Sequence, residues 1–222
     1  MRPNRKMREF ERRERDILDS TLKLLTGEQW QTISVDKIAQ CTGIGKGTVY
    51  KHFDCKNDIY AHLLLDNYRQ MLTQFKRFAA DDHLTGVQQI RGMLLYALEY
   101  HRENVAHQHM HLHFRQKAFR EQISSNYLQQ LDDTEEQFTE AFEQAVDKGI
   151  SEGDVNPDIP RETMMAGVSA TFEGAIVILQ EGGSCKQQLM QTNEQKDAYI
   201  NHVVDYMIAA LIRQPADKQE RR

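Results

Sequence analysis

The feature that most restricts the fold of this chain is the absence of proline from residues 4–156, since all four prolines lie at positions 3, 157, 160 and 215. Proline removes a backbone donor and breaks helices, so its absence permits long uninterrupted helices. Apolar residues recur at intervals of three and four, as in Tyr68, Met71, Leu72 and Phe75. No stretch alternates convincingly with a period of two. The sequence therefore predicts an all-α protein.

Breaks in this pattern divide the chain into about nine predicted helices. The breaks are mostly stretches rich in glycine, aspartate and asparagine, which act as helix start and stop signals. The predicted helices cover residues 8–26, 34–41, 45–52, 56–79, 86–101, 104–119, 124–150, 160–181 and 194–213. The change from short to long helices places a domain boundary in the fourth. We expect one domain over residues 1–62 and a larger helical domain over residues 63–215.

Composition excludes several classes of protein. With 222 residues, of which 40% are apolar, the chain can bury a core without a metal or disulfide. Cys41, Cys55 and Cys185 show no CxxC spacing, which argues against a disulfide framework and a zinc ribbon. The longest apolar run, Tyr206–Ile212, is too short for a membrane span, and the charged N-terminus does not resemble a secretion signal. We expect a cytoplasmic protein without a membrane partner or cofactor.

Charge is distributed unevenly along the chain. Residues 1–56 hold 12 Lys and Arg against 8 Asp and Glu, although the whole chain has a net charge of −5. A basic N-terminal segment on an acidic protein is typical of a chain that meets a polyanion at one end. The signal is weak by itself, because a basic run is also typical of a solvated surface.

Residues 32–53, TISVDKIAQCTGIGKGTVYKHF, have the spacing of a helix-turn-helix. A first short helix buries Val35, Ile38 and Ala39, and a turn at residues 42–45 leads to a second short helix. Gly43 suits the sharp turn, since glycine adopts positive φ without steric cost. The predicted first helix would complete a three-helix core through Ile17, Leu18, Thr21 and Leu25.

The exposed side of the second short helix carries small groups and donors that suit a DNA groove. Those expected to approach base edges are Lys46, Gly47, Thr48, Lys51 and His52. Tyr50 on that face is best explained by a hydrogen bond to a phosphate, and Lys56 follows at the next helix start. Glycine costs about 1 kcal/mol relative to alanine in an exposed helix, so Gly47 needs a reason, and close approach to DNA provides one. The alternative is a small helical core with a solvated basic face.

This segment also resembles the N-terminal signature of the TetR family of bacterial transcription regulators. The matched residues are Thr32, Ser34, Val35, Ile38, Ala39, Gly43, Ile44, Lys46, Gly47, Thr48, Val49, Tyr50, His52, Phe53 and Lys56. The resemblance implies a recognition helix over residues 45–52 and phosphate contacts from Thr32, Tyr50 and Lys56, with Ser34 among the DNA-binding candidates. It covers roughly residues 12–65. At two helix starts, Gly45 and Cys55 stand where the family usually has serine, and Cys55 beside a helix start suggests a somewhat activated thiol.

The two most apolar predicted helices, 160–181 and 194–213, look like an interface. Small residues at positions 167, 170, 174 and 175 permit close helix approach. The resemblance similarly implies a homodimer through these two helices, a palindromic operator of double-stranded DNA, and most often repression. It also implies a small, often apolar, effector bound in the larger domain. We expect part of the following bulky set to line its pocket, although each residue alone is more typical of core packing: Tyr68, Met71, Phe75, Tyr96, Tyr100, Met110, Phe114, Phe138, Phe142 and Phe172.

Four histidines at alternate positions, 107, 109, 111 and 113, leave a second hypothesis open. Glu103, His107 and His111 follow each other at intervals of four, so they would share a helix face and could supply three ligands to a divalent metal. A helical metal-binding protein or metalloenzyme is therefore the alternative. It has no phosphate loop, nucleophile elbow or HExxH motif in its support, and we expect a regulator that is not an enzyme.

Overall fold

A computed structural model describes residues 5–181 and 191–213 of this chain. This part of the chain contains ten α-helices and one short 3-10 helix at Trp30–Thr32. The α-helices are α1 Arg5–Leu25, α2 Val35–Thr42, α3 Lys46–Val49, α4 Lys56–Ala79, α5 Gly86–Glu103, α6 Val105–Phe114, α7 Lys117–Arg120, α8 Ser125–Glu152, α9 Arg161–Glu181 and α10 Asn193–Leu211. The all-α prediction is confirmed, and an isolated bridge between Val155 and Ile212 is the β pairing found in the described ranges.

The predicted helix over residues 104–119 is two helices in the structure. Gln116, with φ −77° and ψ 120°, is extended and separates α6 from α7. The Gln116 N–H donates to the His113 carbonyl at 3.1 Å, which closes a tight turn. No proline or glycine marks this break, so sequence periodicity missed it. The turn brings Phe119, which is 5% exposed, to within 4.9 Å of the Tyr60 ring.

The described residues form two compact units. The first contains the residues up to Tyr68 together with His109–Asp132, and the second contains Arg69–Gln108 together with the residues from Asp133 onward. This division differs from the predicted boundary after residue 62, because 109–132 belongs with the N-terminal residues. The two functional domains therefore remain a prediction, and the expected end at residue 215 lies outside the described residues, as does Cys185.

The core of the first unit contains buried residues of α1, α2 and the start of α4. Ile17, Ile38 and Ile59 are at most 1% exposed, and burial of such side chains contributes about 1.5–3 kcal/mol each. Val49 from α3 and Phe53 after it are 1% and 2% exposed, so α3 is attached to this core by one face. Its other face remains on the surface.

The second unit is built around α5, which packs against α9 and α10. A capping box at Thr85 and Gln88 begins α5, and a second one at Thr192 and Gln195 begins α10. The start of α5 lies so close to α8 that a Cβ at Gly86 would sit 2.6 Å from the Cα atom of Gly149. Glycine at this position is therefore required by packing.

One helix of the second unit carries an unusually apolar surface. Arg161–Gln180, within α9, is long and apolar enough to cross a membrane by length and composition alone. The sequence analysis expected no membrane span, because it considered only uninterrupted apolar runs. The mean hydropathy of a whole helix can be high even when a few polar residues interrupt it. Only 22% of the most apolar window is buried inside the chain. A single helix of this kind is weak evidence for a membrane span, and its exposed apolar face calls for a covering partner.

Candidate nucleic-acid interface

The turn between α2 and α3 is formed by local capping interactions. Ser34 is the N-cap of α2, and its hydroxyl oxygen accepts from the Lys37 N–H at 3.2 Å. Gly43 ends α2 in the left-handed region, with φ 72° and ψ 30°, where a side chain would be strained. The Ile44 N–H donates to the Ala39 carbonyl at 3.0 Å. These bonds set the angle at which α3 leaves α2.

The segment after this turn covers the predicted residues 45–52, but only part of it is regular α-helix. The α-helix covers Lys46–Val49, and Tyr50–His52 continue in tight turns, since the His52 N–H donates to the Val49 carbonyl. We call residues 45–52 the recognition segment. Gly45 is its N-cap and makes no side-chain capping bond, as the departure from the family pattern implied.

Most predicted DNA-contacting residues of the recognition segment are exposed. Lys46, Gly47 and Lys51 lie on the surface, Tyr50 is 47% exposed, and Thr48 is half-buried. A Cβ added at Gly47 would meet no other atom within 4 Å. Packing inside the chain therefore does not require glycine at this position.

Lys46 is held by an acid in the DNA-free chain. Its Nζ lies 2.8 Å from an Asp36 carboxylate oxygen, and this contact raises the pKa of the lysine. Both side chains are largely exposed, so solvent and salt screen the pair. A phosphate or base edge would have to compete with Asp36 for this ammonium group.

The prediction that His52 lies on the exposed face is wrong. Its side chain is 3% exposed, and its ring stacks on Phe10 of α1 with ring centroids 4.0 Å apart. Its Nδ1 lies 3.7 Å from a Glu14 carboxylate oxygen, which is beyond hydrogen-bond distance. The turn after α3 rotates this residue inward, so His52 attaches the recognition segment to α1.

Lys56 was expected to contact a phosphate, but in the structure its ammonium group bonds to the chain itself. Its Nζ donates to the carbonyls of Trp30 and Ile33, each at 2.9 Å, and lies 4.4 Å from the centroid of the Trp30 ring. Partial burial lowers the pKa of this lysine. A phosphate would have to replace these partners. The observed role of Lys56 is to tie the start of α4 to the turn that precedes α2.

Thr32 and Ser34 are exposed at the entrance to α2, and both hydroxyls have local partners. Thr32 Oγ1 donates to the Gln29 carbonyl at 2.8 Å. A phosphate oxygen only accepts hydrogen bonds, so Thr32 would have to redirect its proton toward DNA. The Ser34 hydroxyl accepts its capping bond and keeps its own proton for a further acceptor.

Sequence analysis missed a polar junction between the start of α4 and residues 122–124. Asp58, which is 1% exposed, accepts from the Ser124 N–H at 2.9 Å and from its hydroxyl at 2.5 Å. Beside it, Asn57 Nδ2 donates to Gln122 Oε1 at 3.1 Å, and Trp30 Nε1 donates to Asn57 Oδ1 at 3.1 Å. An acid in the first helical turn is a common sequence feature, and nothing local identifies a partner 66 residues away.

The predicted effector-pocket residues are divided between the two units. Tyr68, Met110 and Phe114 belong to the first unit, where the Tyr68 hydroxyl lies 2.9 Å from His111 Nδ1 and Met110 and Phe114 are fully buried. Within the second unit, Phe75 contacts Phe138 edge to face at 4.9 Å. The other members in that unit are Met71, Tyr96, Tyr100, Phe142 and Phe172. Their role as a pocket remains a prediction.

The metal hypothesis receives no support from the described residues. None of their histidine, cysteine and acidic side chains form a group of three that could hold a metal ion. His107 Nδ1 lies 2.9 Å from the Tyr100 hydroxyl, and Glu103 pairs with Arg102. The activated thiol is also contradicted, because burial raises the pKa of Cys55.

Comparisons with known proteins agree with this geometry. The family model for bacterial regulatory proteins of the tetR family matches residues 17–63, which contain α2, α3 and the recognition segment. An HTH-type transcriptional regulator of Staphylococcus aureus is 29% identical over 53% of this chain. The chain spans 66% of that relative's length and 45% of others from the same species.

Solved structures extend the similarity of fold over most of the chain. The transcriptional regulator FadR from Bacillus subtilis, in complex with stearoyl-CoA, has a TM-score of 0.68 at 14% identity and covers 88% of this chain and 98% of its own. SmeT, the repressor of a Stenotrophomonas maltophilia multidrug efflux pump, has a TM-score of 0.67 at 15% identity and covers 91% of each chain. At such identities the similarity concerns the fold alone. The N-terminal segment thus matches the model for bacterial regulatory proteins of the tetR family, and the chain shares its fold with solved transcription regulators.

Proposed function

We propose that the protein is a homodimeric repressor that binds a palindromic operator and releases it when a small, largely apolar effector binds. The observation that carries this proposal is the recognition segment, whose Val49 is buried while Lys46, Gly47 and Lys51 stay on the surface. A short helix supported on one face and open on the other is the arrangement by which a helix-turn-helix enters a major groove.

Electrostatics support the approach to DNA. The first turns of α1 add the exposed cations Arg5, Lys6 and Arg8 to those of the recognition segment. The Phe10–His52 stack keeps α1 beside that segment. Each phosphate that such side chains neutralise releases counterions and makes binding salt-dependent, with a slope of about −0.9 per contact.

The proposed dimer uses α9 and α10, which leave apolar and small residues uncovered. Tyr206 is 65% exposed and Ile178 is 39% exposed. A Cβ at Gly167 or Gly174 would meet nothing within 4 Å in the single chain, so both sites allow close approach by another helix. A two-fold dimer would place two recognition segments in successive major grooves, about 34–36 Å apart.

Effector release requires only a modest coupling. A coupling free energy of about 1–3 kcal/mol between the effector site and the DNA-binding site alters operator affinity by about five- to 150-fold. The buried aromatic and methionine residues of the larger predicted domain, 63–215, suit an apolar molecule, and FadR is solved with stearoyl-CoA. Binding to bacterial DNA also implies the cytoplasmic location expected from the sequence.

Gel retardation with the promoter of the protein's own gene tests the proposal. We expect a shifted band that weakens strongly between low and moderate salt, and a dimer by analytical ultracentrifugation at micromolar concentration. The dimeric operator model is rejected if the protein is monomeric there and binds a single half-site as tightly as the full palindrome. Absence of any DNA shift would reject the regulator itself.

A further inference from the structure

Asn67 in α4 carries a buried side-chain amide. The residue is 2% exposed, and neither Oδ1 nor Nδ2 has a hydrogen-bond partner among the residues that the structure describes. Gln108 provides a contrast, because it is equally buried and its Nε2 donates to the Ile176 carbonyl at 2.8 Å. Leaving a buried polar group unpaired costs about 1–3 kcal/mol, so the amide of Asn67 calls for an explanation.

The helical position of Asn67 indicates what surrounds it. Tyr60 and Leu64 precede it by seven and three residues, so all three lie on one face of α4. Tyr60 on this face donates from its hydroxyl to the His109 carbonyl at 3.3 Å, and its ring contacts His113. The face therefore meets residues 109–114 of α6, which include the fully buried Met110 and Phe114.

The chemistry of this interior restricts what could satisfy the amide. An asparagine side chain presents a donor and an acceptor side by side, so a group with the same pair in reverse forms two bonds with it. A carboxamide or lactam has that pair. Burial lowers the pKa of His111, the partner of the next residue Tyr68, to about 4, as expected for surroundings that disfavour charge. A thioether such as that of Met110 adapts to apolar shapes of different sizes.

We propose that Asn67 is the polar anchor of the effector site, and that the effector is an uncharged molecule with an apolar body and a carboxamide or lactam group. This inference rests on the proposed release by an effector and specifies its chemical class. Apolar contact with the α4 and α6 face gives affinity, while the two hydrogen bonds to Asn67 select the head group.

The test uses the full-length chain and three probes of equal chain length: octanamide, methyl octanoate and octanoate. Calorimetric titration should give at least tenfold tighter binding for octanamide, because the ester only accepts hydrogen bonds and octanoate is charged. In Asn67→Leu this preference should disappear. The same substitution should raise the thermal midpoint of the ligand-free protein by a few degrees, since it removes two unpaired polar atoms. Gln108→Leu is the matched control and should lower the midpoint, because it removes a buried hydrogen bond to the Ile176 carbonyl.

Three results would overturn the anchor: octanamide fails to bind, it binds Asn67→Leu as tightly as the wild type, or Asn67→Leu lowers the midpoint as Gln108→Leu does. The last result would mean that the amide is already paired in the ligand-free protein, for example by internal water. Operator binding is measured in parallel. If octanamide binds through Asn67 but the protein does not bind DNA, the proposed regulator function is rejected and the ligand site is retained. If the protein binds its operator normally but does not bind octanamide, only the role of Asn67 as anchor is rejected.

Discussion

Replacement of Gly47 by alanine should have opposite effects on stability and on DNA binding. The added Cβ meets no atom within 4 Å, and alanine is favoured over glycine in a helix by about 0.5–1 kcal/mol. For a chain of this size, 1 kcal/mol corresponds to about 2–4 °C in the thermal midpoint. We therefore expect the midpoint of Gly47→Ala to rise by about 1–4 °C.

In the complex the same methyl group would stand between the helix and the base edges. Loss of one good base contact costs about 1–3 kcal/mol, so operator affinity should fall about fivefold to 150-fold. Fluorescence anisotropy with a labelled operator measures this change. Gly27→Ala is the matched control, since its Cβ also meets nothing within 4 Å but lies outside the recognition segment. Wild-type operator affinity in Gly47→Ala would refute the explanation of this glycine by close approach to DNA.

Further substitutions test the roles assigned to individual residues. Tyr50→Phe should weaken binding to all duplexes alike, whereas Lys51→Ala should change the preference among operator variants; unchanged preference in both would contradict the assignments. Gly86→Ala should destabilise the protein by about 1–3 kcal/mol or more in urea unfolding, because its Cβ would lie 2.5 Å from a backbone oxygen of α8. Gly92→Ala meets only a side chain and should be milder. Burial lowers the pKa of His111 to about 4, so as the pH falls the unfolded chain binds this proton before the folded chain does. The free energy of unfolding should therefore decrease between pH 6.5 and pH 4. Urea unfolding at several pH values should show a weaker pH dependence for His111→Gln.

The long helices could be predicted because their signals are local. The predicted helix over 56–79 has the bounds of α4, and the predicted 86–101 lies within α5 Gly86–Glu103. Apolar residues at intervals of three and four, together with glycine-rich breaks, are sufficient where helices are long and regular. The division into α6 and α7 was not predictable, because an extended Gln116 without proline or glycine carries no pattern.

The same distinction applies to the candidate site. Gly43 in the turn and the surface position of Lys46 and Lys51 agree with the motif spacing. The inward position of His52 depends on a ring of α1 that lies more than forty residues away in sequence. The internal bonds of Lys56 likewise depend on carbonyls that a one-dimensional pattern does not place.

Two kinds of information thus account for this protein. Residue order alone was enough for the helix content, the helix-turn-helix and the resemblance of the N-terminal segment to a family, because capping, turn chemistry and helical periodicity act over a few neighbouring positions. Packing decides which side chains of the recognition segment stay on the surface and that Asp58 meets Ser124. It also decides that the buried amide of Asn67 has no partner among the described residues. These contacts join residues far apart in the chain, and their free energy arises only when the folded helices exclude water between them.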